Sequence, residues 1–437
     1  MAKTLNPKAM VEFQNLREVK ISPDGQKVVY VLQEYDLDQD RAKTSLWIIR
    51  RDRGNAVFRL TNGSNDANPA WSPDSQKIAF TSGREKRAQL YLINVDGGEA
   101  EQIKTDVFPA SAPQWSPDGK QLAFLAPVEV KADNSRYPGE PEELLPKNQK
   151  KQDNKDDSGK KTELPRVITD FNYRADGTGF IYQGYRQLHL LTLSDKRCVQ
   201  LTDQHERITD FSWNPNGRGL VYTVQQFELQ RVRYSTIIRE LDVETKTSTK
   251  VLEFDGQVGS PSFSPDGRWL LLTGGANDVP YGTAVANIWA VALHGASLPL
   301  STAKVQRVTG ELNRSCRQLR CSADGATVYF LKEDAGGNQL HKISVVDGSF
   351  GAIEPVKLNG LATVTSFDLS TDHSIAYAAD DFVTPPQVYL ESQCCSAKLT
   401  ELNKDYLDGC ELCPAEKMHY KGPDDWDVEG WVVKPKG

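Results

Sequence analysis

Polar and apolar residues alternate over short distances along most of the chain, and the same punctuation precedes each apolar run. Lys27-Val28-Val29-Tyr30-Val31, Lys77-Ile78-Ala79-Phe80-Thr81, Gln121-Leu122-Ala123-Phe124-Leu125 and Trp269-Leu270-Leu271-Leu272-Thr273 are β-rich runs a few residues long. Each follows a four-residue turn: Ser22-Pro23-Asp24-Gly25, Ser72-Pro73-Asp74-Ser75, Ser116-Pro117-Asp118-Gly119 or Ser264-Pro265-Asp266-Gly267. Proline presets φ at the second turn position, Asp suits the third, and Gly accepts the left-handed backbone at the fourth. Before each turn stands another short segment, such as Asn68-Pro69-Ala70-Trp71 or Asp210-Phe211-Ser212-Trp213. After each apolar run comes a third strand (Leu46-Trp47-Ile48-Ile49, Gln89-Leu90-Tyr91-Leu92-Ile93, Asn287-Ile288-Trp289-Ala290-Val291) and often a fourth ending in a Leu-Thr step, as at Leu60-Thr61 and Leu201-Thr202. Four short strands per unit, repeated, predict an all-β chain built as a β-propeller of four-stranded blades.

Degenerate turns at Arg174-Ala175-Asp176-Gly177, Asn214-Pro215-Asn216-Gly217, Ser322-Ala323-Asp324-Gly325 and Ser370-Thr371-Asp372-His373 bring the anchors to eight, 40 to 58 residues apart. Only seven third-and-fourth strand pairs accompany them. A polar insertion from about Glu129 to Pro165 sits between two anchors, and removing it leaves room for one blade there. The expectation is therefore seven blades, with eight as the alternative. The insertion has seven acidic and six basic residues between Glu140 and Glu163. It reads as a solvated excursion, or as a short helix at Glu142-Glu143-Leu144-Leu145 projecting over one face. The expected organisation is an N-terminal extension over 1–15, the propeller over 16–405, and an exit segment over 406–437.

Composition narrows the class. In 437 residues, 38% are hydrophobic and 25% charged, and no stretch approaches the roughly 18 apolar residues of a membrane span. The net charge of −7, with 59 acidic against 52 basic residues, argues against nucleic acid as the main partner. The N-terminus has no apolar signal region, and seven cysteines suit reduced thiols better than a disulfide framework. A cytoplasmic location is expected, with no membrane partner and with a homo-oligomer left open.

The tail changes character. Cys410-Glu411-Leu412-Cys413-Pro414 leads through Met418-His419-Tyr420-Lys421 to Val428-Glu429-Gly430-Trp431-Val432-Val433-Lys434-Pro435, a strand-like run whose sheet is expected in sequence beyond this chain. Together with the repeated turns and the segment Val167-Ile168-Thr169-Asp170-Phe171-Asn172-Tyr173-Arg174-Ala175-Asp176-Gly177, this exit strand resembles acylaminoacyl-peptidases of the prolyl oligopeptidase family. The resemblance implies that a C-terminal α/β-hydrolase domain with a Ser-Asp-His triad follows the propeller, which acts as its lid. Short or N-acylated peptides would then be the substrates.

The chemistry expected of that family is missing from these residues. A nucleophile elbow reads Gly-x-Ser-x-Gly, and the nearest string, Gly295-Ala296-Ser297-Leu298-Pro299, lacks the last glycine. No catalytic, cofactor-binding or metal-binding residue is therefore assigned, and the chain is expected to be inactive alone. His189, His205, His294, His341, His373 and His419 stand at no motif spacing. Cys394, Cys395, Cys410 and Cys413 fall within 20 residues, compatible with a zinc site, a redox pair, or plain structural thiols. Gly274-Gly275 and Gly336-Gly337 lack the context of a phosphate loop. Trp47, Trp71, Trp115, Trp213 and Trp289 are expected in the packing between blades. The leading reading is the substrate-gating propeller of a serine peptidase. A stand-alone binding module, including a TolB-like scaffold, and a pseudoenzyme regulator paired with a complete homologue are the other readings.

Overall fold

The computed structural model describes residues 7–128 and 185–435, less short connections at 64, 85–86, 106–108, 204–205, 229–232, 279–283, 294–297, 302–303, 311, 335, 360–362 and 394, together with residues 5, 174–175 and 179–180. Seven four-stranded antiparallel sheets form the blades of a propeller. Six are built from four consecutive strands. In blade 3, the pair Arg174–Ala175 and Gly179–Phe180 intervenes between the second and third strands as a separate two-stranded sheet. The eighth sequence anchor thus belongs to a hairpin inside blade 3, and the eight-blade alternative is overturned. The polar insertion lies outside the described residues.

The innermost strands are Asn15–Ile21, Asp66–Trp71, Ser111–Trp115, Ile208–Trp213, Gly256–Phe263, Cys316–Cys321 and Thr363–Leu369. Each ends in the repeated turn, where every residue of the motif has a task. Ser22 Oγ donates to Asp24 Oδ1 (2.5 Å) and accepts the N–H of Lys27 (2.9 Å), while Asp24 Oδ1 accepts the N–H of Gln26 (2.9 Å). The same set recurs at Ser72, Ser116, Ser264, Ser322 and Ser370. A left-handed residue closes all seven turns: Gly25, Ser75, Gly119, Gly217, Gly267, Gly325 and His373. These turns crowd one face, here the turn face. The connections between second and third strands leave from the opposite, loop face.

The Leu-Thr step also has a local cause. Where the short fourth strand stops, the third strand keeps a backbone N–H without a ladder partner. Threonine supplies one: Thr61, Thr202, Thr309 and Thr400 Oγ1 accept the N–H of Leu46, Leu188, Ile288 and Val388 at 2.9–3.0 Å.

The core is divided among the seams, each seam having its own apolar cluster. Opposed second- and third-strand positions recur as ring pairs, among them Phe80 with Tyr91 (5.6 Å), Phe124 with His189 (5.4 Å) and Tyr377 with Tyr389 (5.3 Å). Tryptophans at the ends of inner strands tie blades in series. Trp71, Trp115 and Trp213 donate their indole N–H to the carbonyls of Lys20, Ala70 and Gln114 of the preceding blade, at 3.2, 2.9 and 3.2 Å.

Helical turns at Ala9–Glu12 and Lys404–Leu407 flank the ring. Beyond it, Ala415–Lys421 pairs with Asp427–Val433 as an antiparallel hairpin. The exit strand therefore has a partner inside this chain, contrary to expectation, because Glu416 to Lys421 extends alongside it.

Candidate functional site: the central channel

Seven inner strands side by side leave a cavity on the propeller axis, about 920 Å³ in volume, that opens among the turns. The sequence repeat decides what lines it. Side chains along a strand alternate faces, so the second residue before each turn, and the fourth in every blade but the seventh, where Ser366 is buried against Val19, line the cavity. The level nearer the turn face holds Lys20, Gln114, Ser212, Ser262, Arg320 and Asp368, with Ala70 in blade 2. The deeper level holds Glu18, Asn68, Ala112, Asp210, Ser260 and Gln318.

A bulge interrupts every inner strand around the deeper level. In four blades it forces a non-glycine residue into the left-handed region: Asn68 (φ 53°), Ala112 (φ 50°), Ser260 (φ 50°) and Gln318 (φ 50°). Each such residue costs on the order of 1 kcal/mol, and proline follows in three of the four cases, at Pro69, Pro113 and Pro261. Bulges of this kind re-aim side chains at barrel rims and binding sites. Blades 1, 4 and 7 keep regular pairing between the two levels.

The charged groups are unevenly spread. Arg320, Asp368, Lys20 and Glu18 occupy one arc, on blades 6, 7 and 1. Arg320 Nε meets Asp368 Oδ1 at 3.1 Å, and Lys20 Nζ lies 3.5 Å from Glu18 Oε1. Asp368 Oδ2 also accepts the N–H of Ile21 (3.3 Å), across the junction of the chain's two ends. Asp210 stands in blade 4. Its carboxylate accepts the N–H of Phe211 and of Ser260 at 2.9 Å each, and burial pushes its pKa upward against those bonds and the nearby Arg186. Elsewhere the wall is neutral, made mainly of serine, proline, alanine and amide side chains with Trp71, Trp115 and Phe211 among them.

None of these channel residues was singled out from the sequence. The signal was present: two and four places before each turn, where charge appears in only a few blades. The histidines do not converge on the channel. His189 and His341 are buried among apolar neighbours, each with Nδ1 near its own strand's backbone carbonyl at Gln187 or Gln339, and burial lowers both pKa values. His373 closes a turn near Asp324 (3.7 Å), and His419 lies on the C-terminal hairpin. His205, His294 and Ser297 fall outside the described residues. Among the described residues, Cys316, Cys321, Cys395, Cys410 and Cys413 form no disulfide, Cys198 lies on the fourth strand of blade 3, and no group of three His, Cys, Asp or Glu side chains is placed to hold a metal. Cys394 lies outside the described residues. Burial pushes the thiols of Cys316 and Cys321 up to about 11, so neither is a ready thiolate. Trp213 and Trp289 are buried between blades as expected, while Trp71 and Trp115 also edge the channel.

No helix among the described residues is long and apolar enough to cross a membrane. Residues 4–138 match the TolB β-propeller domain. Over 99% of its length the chain is 25% identical to dipeptidyl-peptidase 5 of Porphyromonas gingivalis, of which it covers 60%. An acylaminoacyl peptidase solved in complex with Z-Gly-Gly-Phe-chloromethyl ketone superposes with a TM-score of 0.71 at 17% identity, covering 99% of this chain and 60% of that one. The β-propeller domain of the trilobed protease from Pyrococcus furiosus, described as having an open velcro topology, superposes at 0.58 with 16% identity, covering 90% and 97%. The chain spans between about a third and three-fifths of the length of the first curated relatives it matches. Those relatives are peptidases, and this chain shares its fold with the propellers of peptidases.

Proposed function

We propose that this chain is the propeller lobe of a serine peptidase of the prolyl oligopeptidase type, and that the lobe admits short or N-acylated peptides to a catalytic domain while excluding folded proteins. The observation that carries this reading is a likeness running through 99% of the chain, hairpin included, but through only 60% of a dipeptidyl peptidase. The channel supports it, since a cavity of about 920 Å³ accepts an extended peptide and not a folded domain.

The C-terminal hairpin supports an α/β-hydrolase domain as the lobe's partner. Its register puts Lys417, His419, Lys421, Asp427, Glu429 and Trp431 on one side. From that side Trp431 alone reaches the loop face, packing against Phe382 at 6.2 Å and against Gly336, while Lys417, His419, Lys421 and Asp427 stay exposed. The other side turns Met418, Tyr420 and Val432 to solvent, with Trp426 exposed beside it. An apolar face on a two-stranded sheet, which is marginal by itself, suits burial against a further domain.

The test is to assay the purified chain on N-acyl-alanine and aminoacyl chromogenic substrates, alone and mixed with a separately produced Ser-Asp-His hydrolase domain. The expected result is no turnover alone, a stable complex, and preference for short peptides over a denatured protein. Turnover by the chain alone, or the absence of any complex, overturns the reading.

A further inference from the structure

We infer that His189 is an acid-sensitive latch between blades 2 and 3, which holds the seam as a neutral imidazole and releases it when an open form takes up a proton. The inference goes beyond the peptidase reading and does not depend on it. It begins from the strand register, which gives each blade a position on its third strand where rings recur. Trp47 faces Tyr30, Tyr91 faces Phe80, Trp289 faces Leu272 and Tyr389 faces Tyr377. In blade 3 the same position is His189, opposite Phe124. Arg239 and His341 take it in blades 4 and 6. A group that can gain a proton thus stands where four other blades keep rings that never carry a positive charge.

The surroundings of His189 penalise that charge. The residue is 1% exposed and lies almost parallel to the Phe124 ring, 5.4 Å away at 24°. Phe124 belongs to the apolar cluster between blades 2 and 3, with Ala79, Leu90 and Ile103. Nδ1 donates to the carbonyl of Gln187 at 3.1 Å, and since a carbonyl only accepts, this fixes the tautomer. Nε2 is buried and has no hydrogen-bond partner among the described residues. A proton there would make a charged N–H with no acceptor, which burial makes costly. The titratable groups on the neighbouring elements sit elsewhere. The inner and second strands of blade 3, Ser111–Trp115 and Gln121–Val128, have none, and Cys198 is the one on the fourth. Tyr185 and Arg186 stand at the loop-face start of its own strand. On blade 2, Tyr91 packs in the cluster toward blade 1, Lys77 is exposed, and Glu101 pairs with Lys196 at the surface. Asp210 of blade 4 lines the channel. Burial accordingly lowers the pKa of His189, against the bond to Gln187.

Blade 3 is also poorly tied at this point. Its second and third strands are not consecutive, so Tyr185–Thr192 is held to Gln121–Val128 by the ladder and by packing rather than by a hairpin turn. A base whose folded pKa lies below its unfolded value near 6.5 stabilises fully above that value, and the contribution is lost as pH falls from there toward the folded value. Acid therefore favours forms in which the third strand of blade 3 has left the seam.

Hydrogen exchange of the whole chain at pH 7.5 and pH 5.5, corrected for the intrinsic rate at each pH, tests this. Protection in Tyr185–Thr192 and Gln121–Val128 should fall by up to about 10-fold on acidification, the limit for a histidine that stays neutral when folded and titrates near 6.5 when open. His189→Gln and His189→Phe should each make that fall at least about threefold smaller, whatever either does to stability at pH 7.5. In the unmodified chain the His189 imidazole resonance, identified by its contact with the Phe124 ring, should titrate with a midpoint below 6.5. A midpoint at or above that value overturns the inference even if neither variant folds. So does a wild-type fall below about threefold, or one that both variants reproduce. No hydrolase domain takes part in these measurements, so their failure leaves the peptidase reading untouched.

Discussion

The seam between blades 2 and 3 and the seam between blades 7 and 1 look alike in their packing and differ in what crosses them. At the first, neighbouring strands are close in sequence, and the indole of Trp115 bonds the backbone of Ala70. At the second, the chain's two ends meet with no strand shared between their sheets. That junction is fastened by hydrogen bonds spanning nearly the whole chain. Gln14 and Asn403 bond reciprocally, N–H to Oδ1 at 2.8 Å and Nδ2 to carbonyl at 2.9 Å. Ser366 Oγ accepts the N–H of Val19 (3.3 Å), and Thr371 gives both its N–H and its hydroxyl to the carbonyl of Pro23, at 3.0 and 2.7 Å. Beneath them lies an apolar cluster that includes Val28, Tyr30, Ala376 and Val388. The lesson is that the ring closes without a shared strand, through a few side-chain and backbone bonds, and each fastening forms only once the first and last blades both exist.

The comparison can be broken most severely at its apolar layer. Tyr30 is 1% exposed at the closing seam and Phe124 is fully buried at an interior one. Either residue changed to Ala should cost about 3–5 kcal/mol in urea denaturation. A loss below 1 kcal/mol for Tyr30→Ala alone would mean the ends meet without contributing to stability. A smaller effect is expected from Asn403→Ala, which removes both bonds to Gln14 and should cost about 1–3 kcal/mol. Hydrogen exchange should then quicken in Asn15–Ile21 and not in Ser111–Trp115. Uniform quickening would show that the seams are not separable.

Next come two glycines with the same backbone. Gly25 (φ 71°) and Gly267 (φ 70°) close equivalent turns, but a Cβ on Gly25 would lie 2.7 Å from Asp372 Oδ2, whereas one on Gly267 meets nothing within 4 Å. Gly267→Ala should cost the left-handed strain alone, about 1 kcal/mol, and Gly25→Ala measurably more. Equal melting shifts would contradict the close fit at the closing seam.

The smallest effect is set by acid. Bonds from Ser72, Ser116, Ser264 and Ser322 hold Asp74, Asp118, Asp266 and Asp324 below the ordinary carboxylate range, Asp266 at about 2. A pKa depressed by folding means the stabilisation is present above the unfolded value near 4 and is lost as pH falls through the folded value. Stability should therefore drop between about pH 4 and pH 2, by on the order of 1 kcal/mol or less per turn because these groups face solvent. Asp266→Asn should flatten the dependence slightly. The blade 4 turn, built on Asn214 and Asn216 and closed by Gly217, has no carboxylate of its own, only Glu240 accepting from Asn214 Nδ2 at 3.4 Å, and its exchange should respond less to the same acid step.

The blades were legible in the sequence because each turn residue has a local, chemically specific task, repeated often enough to survive degeneration at Asn214 or Ser370. Arg174 misled because a hairpin inside blade 3 uses similar turn chemistry without continuing into a full sheet. The Leu-Thr step was visible as a pattern, though its reason, an unpaired N–H on the third strand, needs the sheet. The channel was hidden for a different reason. Its lining comes from positions 44 to 98 residues apart in successive blades, and a lone Lys20 or Arg320 on a short strand carries no mark of the group it faces. Only closing the ring puts Arg320, Asp368 and Lys20 on one arc. The strand Asp427–Val433 was legible, but its partner was not, because Glu416 to Lys421 alternates charge with Met418 and Tyr420 too briefly to stand out.

The outward side of the C-terminal hairpin bears on how copies of this chain meet one another. Met418 is 41% and Tyr420 51% exposed, with Trp426 at 71%, on a pair of strands whose outer edges are free to accept another strand. Edge-to-edge association of copies is the expected consequence at high concentration, read as light scattering that rises below the melting range and falls back in a Tyr420→Lys variant.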